Sequence, residues 1–216
     1  LDYLALPEYG HGESLEVCVR EGKIYVYTTS KANTGSSSAW GTEVTRFVYN
    51  KGKKSEEKSL TDFHCATKNG ATLHKNATPY RINFSLDEES DLFLAYVRCD
   101  TNYSLNSLSH YFVSYRLSDL DRMLDEADRS VSLKSAASAL VVNYGKVSYK
   151  EICPNGSFQG MDLSSDGETV YVLDSSASIK NNKLSVEKTA DGAVVTHAIG
   201  ALSAESLSTG IDMIRK

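Results

Sequence analysis

The chain is predicted to be an all-β protein: a β-propeller-like array of antiparallel sheets with one short surface helix. Three observations lead there. One residue pattern occurs three times, a polar entry and short strand followed by a turn and an apolar-aromatic strand. It runs from Gly12-Glu13-Ser14-Leu15 to Ile24-Tyr25-Val26-Tyr27, from Asn83-Phe84-Ser85-Leu86 to Phe93-Leu94-Ala95-Tyr96, and from Gln159-Gly160-Met161-Asp162-Leu163 to Val170-Tyr171-Val172-Leu173. The anchors Leu15, Leu86 and Leu163 recur about 75 residues apart, as expected of a repeated sheet unit that cannot bury its faces alone. The segments between turns alternate apolar and polar residues, the period of a strand with one buried face. Tyrosine is the compositional outlier, with 13 copies against 6 Phe and one Trp; its ring packs on a pleated surface while its hydroxyl reaches water.

Element by element, Leu15 to Arg20 alternates, turns at Glu21-Gly22 and returns as Ile24 to Thr28, a hairpin. Residues 30–39 form a small polar loop, and Trp40 opens a third strand over Glu43–Tyr49. Asn50 to Lys58 reads as a charged turn and 61–77 as irregular. Tyr80–Leu86, the turn Asp87–Asp91 and Leu92–Arg98 make the second hairpin, and His110–Arg116 a further strand. Ser118 is placed as the N-cap of a helix with acids in its first turn, and Leu120, Met123, Leu124 and Ala127 form a single apolar stripe. Val147–Ile152 and Gly156–Leu163 read as strands, followed by the turn Ser164-Ser165-Asp166-Gly167 and the strand Thr169–Asp174. Lys183–Lys188 and Ala193–Ile199 are expected as strands around Ala190-Asp191-Gly192, and 203–215 as a short helix weakened by Gly210. The whole, 1–216, is read as one propeller-like domain of about three units, approximately 10–77, 78–145 and 146–216. Three units do not close a ring, which takes at least about four blades. An open sandwich, a longer polypeptide, or an additional chain completing the sheet assembly would resolve the mismatch.

Bulk chemistry narrows the function. A net charge of −5 argues against nucleic acid as a partner, since phosphate binding needs concentrated cation. No apolar run approaches the roughly 18 residues of a membrane span. The chain begins at Leu1 and is expected to be processed or a fragment. The four cysteines, Cys18, Cys65, Cys99 and Cys153, contain no C-x-x-C pair; they could form up to two disulfides or remain buried thiols. Sequons stand at Asn76, Asn83, Asn102 and Asn155.

The candidate chemistry is sparse. Asp162-x-Ser164-x-Asp166-Gly167 looks like the start of a calcium loop, but Leu173 stands where the bidentate Glu belongs, so a hairpin turn is favoured. His64, Cys65 and His74 match no common metal spacing. Asp87-Glu88-Glu89-Asp91 reads as a solvated turn. With neither a G-x-S-x-G elbow nor a glycine-rich phosphate loop, nothing points to an enzyme, a metal or a cofactor. The entry motifs Gly10-His11-Gly12-Glu13 and Phe158-Gln159-Gly160-Met161 place His or Gln beside Gly, where backbones approach closely. In a propeller such entries crowd the central mouth. His11, Glu13, Trp40 and Gln159 are therefore the candidate ligand-binding residues, Trp40 stacking on a sugar face and the others hydrogen bonding to hydroxyls.

Gly10-His11-Gly12-Glu13-Ser14-Leu15-Glu16 followed by Trp40-Gly41-Thr42-Glu43-Val44-Thr45-Arg46 resembles the opening of helveticin J-like proteins. So do His110–Leu117 running into Leu120–Ala127, and Phe158 to Val172. The resemblance implies a secreted large bacteriocin of Gram-positive bacteria, extracellular, propeller-like and without cofactor, acting at the target envelope through wall glycan or teichoic acid. The leading expectation is thus a secreted, non-enzymatic protein that binds bacterial cell-surface polysaccharide and kills susceptible cells. The alternative is a structural or adhesive receptor-binding module, such as a phage-tail or surface-protein domain. A hydrolase on the same scaffold would require a channel-facing acid or histidine cluster.

Overall fold

The computed structural model describes residues 3–34, 38–65, 79–99, 110–134, 141–153, 157–164, 166–167 and 169–175, and short strands at 187–188, 194–195 and 199–203. In chain order the strands are β1 (Leu15–Arg20), β2 (Lys23–Ala32), β3 (Gly41–Asn50), β4 (Lys53–Thr61), β5 (Arg81–Asp87), β6 (Leu92–Arg98), β7 (His110–Arg116), β8 (Ser130–Ser132), β9 (Val141–Val147), β10 (Ser157–Leu163), β11 (Thr169–Ser175), β12 (Glu187–Lys188), β13 (Val194–Val195) and β14 (Ile199–Ser203). Helix α1 spans Leu117–Glu126 and α2 Tyr149–Ile152. The chain is mostly β, in several antiparallel sheets of which none is closed among the described residues.

The first sheet has the order β1-β2-β3-β4-β8, the second β5-β6-β7-β9 and the third β10-β11-β14. Each begins as a meander because short turns favour antiparallel neighbours. Arg20 pairs with Lys23 around Glu21 and Gly22, whose φ values are 50° and 74°. Asn50 pairs with Lys53 around Lys51 and Gly52 at 48° and 74°. Two consecutive positive-φ residues give the type I′ twist that keeps hairpin strands paired. Among the described strands only β8 joins in parallel, Ser59–Thr61 against Ser130–Ser132.

The sheets stack face to face. Tyr27, Val44 and Leu60 of the first sheet meet Ile82, Phe84, Phe93 and Tyr111 of the second, each at most 1 % exposed. On the second sheet's other face Leu94, Tyr96 and Phe112 meet Phe158, Leu163, Val170 and Val172 of the third. The second sheet is thus apolar on both sides, which explains why β6 reads as a continuous run, Leu-Phe-Leu-Ala-Tyr-Val, with no clean alternation. Leu86 and Leu163 both turn toward the sheet before their own. Leu15 lies on the corresponding side of β1 and is 59 % exposed.

Helix α1 is fixed by charge as much as by its buried Leu117, Leu120 and Leu124. Asp121, facing the first sheet, accepts hydrogen bonds from Tyr27 Oη, from Arg20 and, at 2.8 Å, from Arg46 Nη1. Arg46 also bonds Asp125. Ser118 is not the N-cap that its sequence context predicts. It lies one residue inside the helix, and the free N-terminal groups are met from the β5–β6 turn: Asp91 accepts from Ser118 N and Oγ, both at 2.7 Å. The acidic turn is likewise employed, since Glu88 pairs with Arg20 Nε at 2.7 Å and Asp87 accepts from Ser90 N.

Two further expectations change, and a third, the hairpin turn at Asp162–Gly167, holds. Lys53–Lys58 belongs to strand β4, whose charged side chains face water and pair locally, Lys54 with Glu57 and Lys23 with Glu56. Val147–Ile152 is not one strand: β9 ends at Val147, and Tyr149–Ile152 coils into α2 so that Tyr149, Ile152 and Cys153 reach the second core. The Asp162–Gly167 segment is a hairpin turn, with Gly167 N donating to Ser164 O at 2.8 Å. Gly167 has φ +68°, and a Cβ there would lie 2.8 Å from Ser90 Oγ, so glycine lets the second and third hairpin tips touch. His74, the sequons at Asn76, Asn102 and Asn155, and residues 204–215 lie outside the described residues.

Removing Asp121 takes the buried partner from Arg46, leaves that guanidinium only the exposed Asp125, and deprives buried Tyr27 Oη of its acceptor. Asp121→Ala should therefore cost about 3–5 kcal/mol in urea unfolding, against about 1 kcal/mol for the capping variant Asp91→Ala. Equal losses would show that the helix is held by its leucines alone.

Candidate functional site

The first strands β1, β5 and β10 each lie at the edge of their sheet, and β5 touches both of the others. Near this junction the predicted residues separate into two groups. His11 is exposed, and its ring meets Trp40 edge-on with centroids 4.8 Å apart. Trp40, half-buried, carries the Arg81 guanidinium 3.9 Å from its ring centre. The same guanidinium lies 5.5 Å from the Phe158 ring, which stacks on Tyr96 at 4.2 Å. Tyr96 Oη is 2.6 Å from His110 Nδ1, and the His110 ring lies 4.9 Å from Tyr149. One row of rings and a cation thus runs from solvent at His11 through the second sheet to α2.

Glu13 lies beneath this row, 9 % exposed. Its carboxylate accepts from Gly41 N and from Thr29 Oγ1, both at 2.8 Å, and its carbonyl accepts from Asn83 Nδ2 at 3.0 Å. Through Gly41 it holds the chain immediately after Trp40. Gly10 serves the same loop: with φ +87°, a Cβ would stand 2.9 Å from both Ala39 O and Gly41 N. Gly160 does not repeat that role, since nothing lies within 4 Å of a Cβ there. Gln159 is exposed at a β-bulge beside Phe158. Asn83, despite its sequon, is fully buried, bonded to Glu13 and accepting from Arg81 Nε at 2.8 Å.

Sequence reasoning missed Arg81, Tyr96 and His110. The available signal was a cation at the start of a strand that is otherwise apolar toward the first sheet, and a histidine opening another. It also missed a second cluster drawn from the same three strands. Burial pushes the Glu16 carboxyl up to about 7, aided by the nearby Asp162 charge and opposed by hydrogen bonds from Ser85 and the Leu86 backbone. Ser85 Oγ donates to Asp162 Oδ1 at 3.1 Å, so Ser85 links the two acids.

At the hairpin-tip end, a cleft of about 590 Å³ is bordered by α1 and lined by Arg20, Glu88, Asp91, Asp121 and Arg122 among others. Its carboxylates are committed to the helix contacts described above. Among the described residues no group of three or more His, Cys, Asp or Glu is arranged to hold a metal ion. Cys18 is buried, and desolvation raises its thiol to about 12, which suits a core residue and not a nucleophile.

Stacked antiparallel sheets crossed by an aromatic–cation row define an all-β protein whose polar features serve chiefly to join one sheet to the next. The chain belongs to the bacteriocin helveticin-J family, whose model matches residues 2–200, and is accordingly a bacteriocin-like protein. No curated protein matches it. Among the described residues no helix is long and apolar enough to cross a membrane.

The folded state keeps the Glu16 proton to about pH 7, whereas the unfolded chain releases it near 4.5. The folded state therefore binds more protons between these values, and this group's contribution to stability falls as pH rises through that window. Glu16→Gln should raise the melting temperature at pH 8 and leave it nearly unchanged at pH 4; a variant less stable than the parent at pH 8 would refute the assignment.

Proposed function

We propose that the protein is a secreted, non-enzymatic antimicrobial of the bacteriocin type that binds polysaccharide on the surface of target bacteria, wall glycan or teichoic acid, at the outer end of the His11–Trp40–Arg81 row. The observation that carries this reading is the position of Trp40: half-buried, with a guanidinium on its ring and an exposed imidazole against it. Sugar rings are recognised by pre-positioned aromatic surface beside a few hydrogen-bonding groups. Here His11 supplies an exposed polar group against Trp40, with Gln159 offered as a second one from the bulge next to Phe158, while Glu13 and Gly10 hold the Trp40 loop so that little is left to order on binding.

The scaffold that fits this role is propeller-like. Three sheets follow one another in chain order, their first strands come together, and residues 1–216 act as one domain built on that repeat. Family membership supports secretion and antimicrobial action, and binding without catalysis accords with the absence of a G-x-S-x-G elbow or phosphate loop in the sequence.

Retention on purified Gram-positive walls tests the proposal. His11→Ala and Trp40→Ala should each weaken retention about tenfold or more, as loss of a central aromatic or polar anchor does, with the melting temperature little changed for the exposed His11. The lone tryptophan supplies a second readout, since soluble wall fragments should shift its fluorescence. Retention unaffected by both substitutions would remove the proposal.

A further inference from the structure

The stacked sheets follow a rule that both ends of the stack leave unfinished. In each first hairpin, a polar residue of the first strand faces a tyrosine of the second: Glu16 with Tyr27, Asn83 with Tyr96, and Asp162 with Tyr171. In the first two sheets that tyrosine turns toward the following sheet and is buried, Tyr27 at 1 % and Tyr96 at 0 % exposure. In the third sheet Tyr171 is 40 % exposed. The opposite side of each first strand faces the preceding sheet. Ile82 and Phe84 of β5 do so at 0 % exposure and Leu163 of β10 at 9 %, whereas Leu15, Val17 and Val19 of β1 stand 59 %, 53 % and 66 % exposed. Among the described residues, one end of the stack has no sheet against it on the preceding side and the other none on the following side.

We propose that these two unlike ends dock onto each other between two copies of the chain, head to tail. The occupant that fits the β1 face is a sheet presenting its following-side face, which is what the exposed end of the third sheet offers. Chemistry at the hairpin tips agrees. The tips line up along the stack, Arg20 on Glu88 and Ser90 under Gly167. Continuing that line into a second copy brings the first sheet's turns, where Lys51 of the β3–β4 turn is exposed near Ile24, up to the third tip, where Asp166 is exposed. On the propeller-like reading, which this step rests on, two copies of the three described stacked sheets supply six, within the roughly four to eight that close a ring and remove its exposed edges. A two-fold axis then makes both junctions identical. This inference stands apart from the glycan reading, since it uses none of His11, Trp40 or Gln159.

Light scattering and sedimentation equilibrium of the 216-residue chain test it. The expected result is a dimer. Val17→Lys and Tyr171→Lys should each weaken dimerisation by about tenfold or more without altering the β-sheet circular dichroism. An equimolar mixture of the two variants should regain dimer, because each contributes one intact end to a shared junction. A wild-type chain that stays monomeric at every concentration overturns the proposal. A dimer indifferent to Tyr171→Lys overturns it too, because the β1 faces would then be meeting each other. A monomer that loses thermal stability on Val17→Lys does the same, since another part of the chain would be covering β1.

Discussion

The second sheet is buried on both faces, and most of the molecule's organisation follows from that requirement. A sheet whose strands read Arg-Ile-Asn-Phe-Ser-Leu-Asp, Leu-Phe-Leu-Ala-Tyr-Val-Arg and His-Tyr-Phe-Val-Ser-Tyr-Arg has no side it can give to water. It folds only with a cover above and below. Phe84 stacks on Phe93 toward the first sheet, and Tyr96 stacks on Phe158 toward the third. Each cover has in turn only one face satisfied by the middle sheet. Apolar burial at about 25 cal/mol per Å² drives the stacking, and the polar residues of the first strands set its register.

Those polar residues form the joints. Ser14 Oγ accepts from Phe84 N, Asn83 donates to Glu13 O, and Ser85 reaches Asp162. Each contact ties the first strand of one sheet to that of the next, away from the apolar layers. At the hairpin tips the Arg20–Asp121–Arg46 cluster does the same for α1. A buried ion pair adds little net stability compared with an apolar substitute, but it tolerates only one arrangement. The helix is therefore positioned more by the charges it must satisfy than by a cap of its own, which is why its N-terminus relies on Asp91 from a turn far away in sequence.

Much of this architecture was legible from residue patterns. The three copies of the hairpin, their turns and the strands Leu92–Arg98 and His110–Arg116 followed from alternation and turn chemistry, because those signals are local. Strand β4 did not, since Lys53–Lys58 has no apolar face and becomes a strand only by pairing with β3. Strand β9 and helix α2 were misread for the opposite reason: Val147–Ile152 is apolar enough for a strand, and only the need of Tyr149 and Ile152 to reach the second core turns it into a helix. At the site, the entry motifs supply His11, Glu13 and Gln159 as rim residues; His11 touches Trp40, whereas Glu13 is buried in the junction beneath it. Arg81 was invisible because its significance comes from two rings contributed by distant segments, Trp40 and Phe158.

The buried sequon at Asn83 bears on how the protein can be produced. Its amide nitrogen is the atom that bridges to Glu13, in a junction with no space for a carbohydrate. In a eukaryotic secretory host, where oligosaccharide is added to the nascent chain before folding is complete, attachment at this position would leave the first two sheets unable to meet. Production in a bacterium, or removal of the sequon by replacing Ser85 with alanine, avoids that trap, although the second route also gives up the hydroxyl that reaches Asp162.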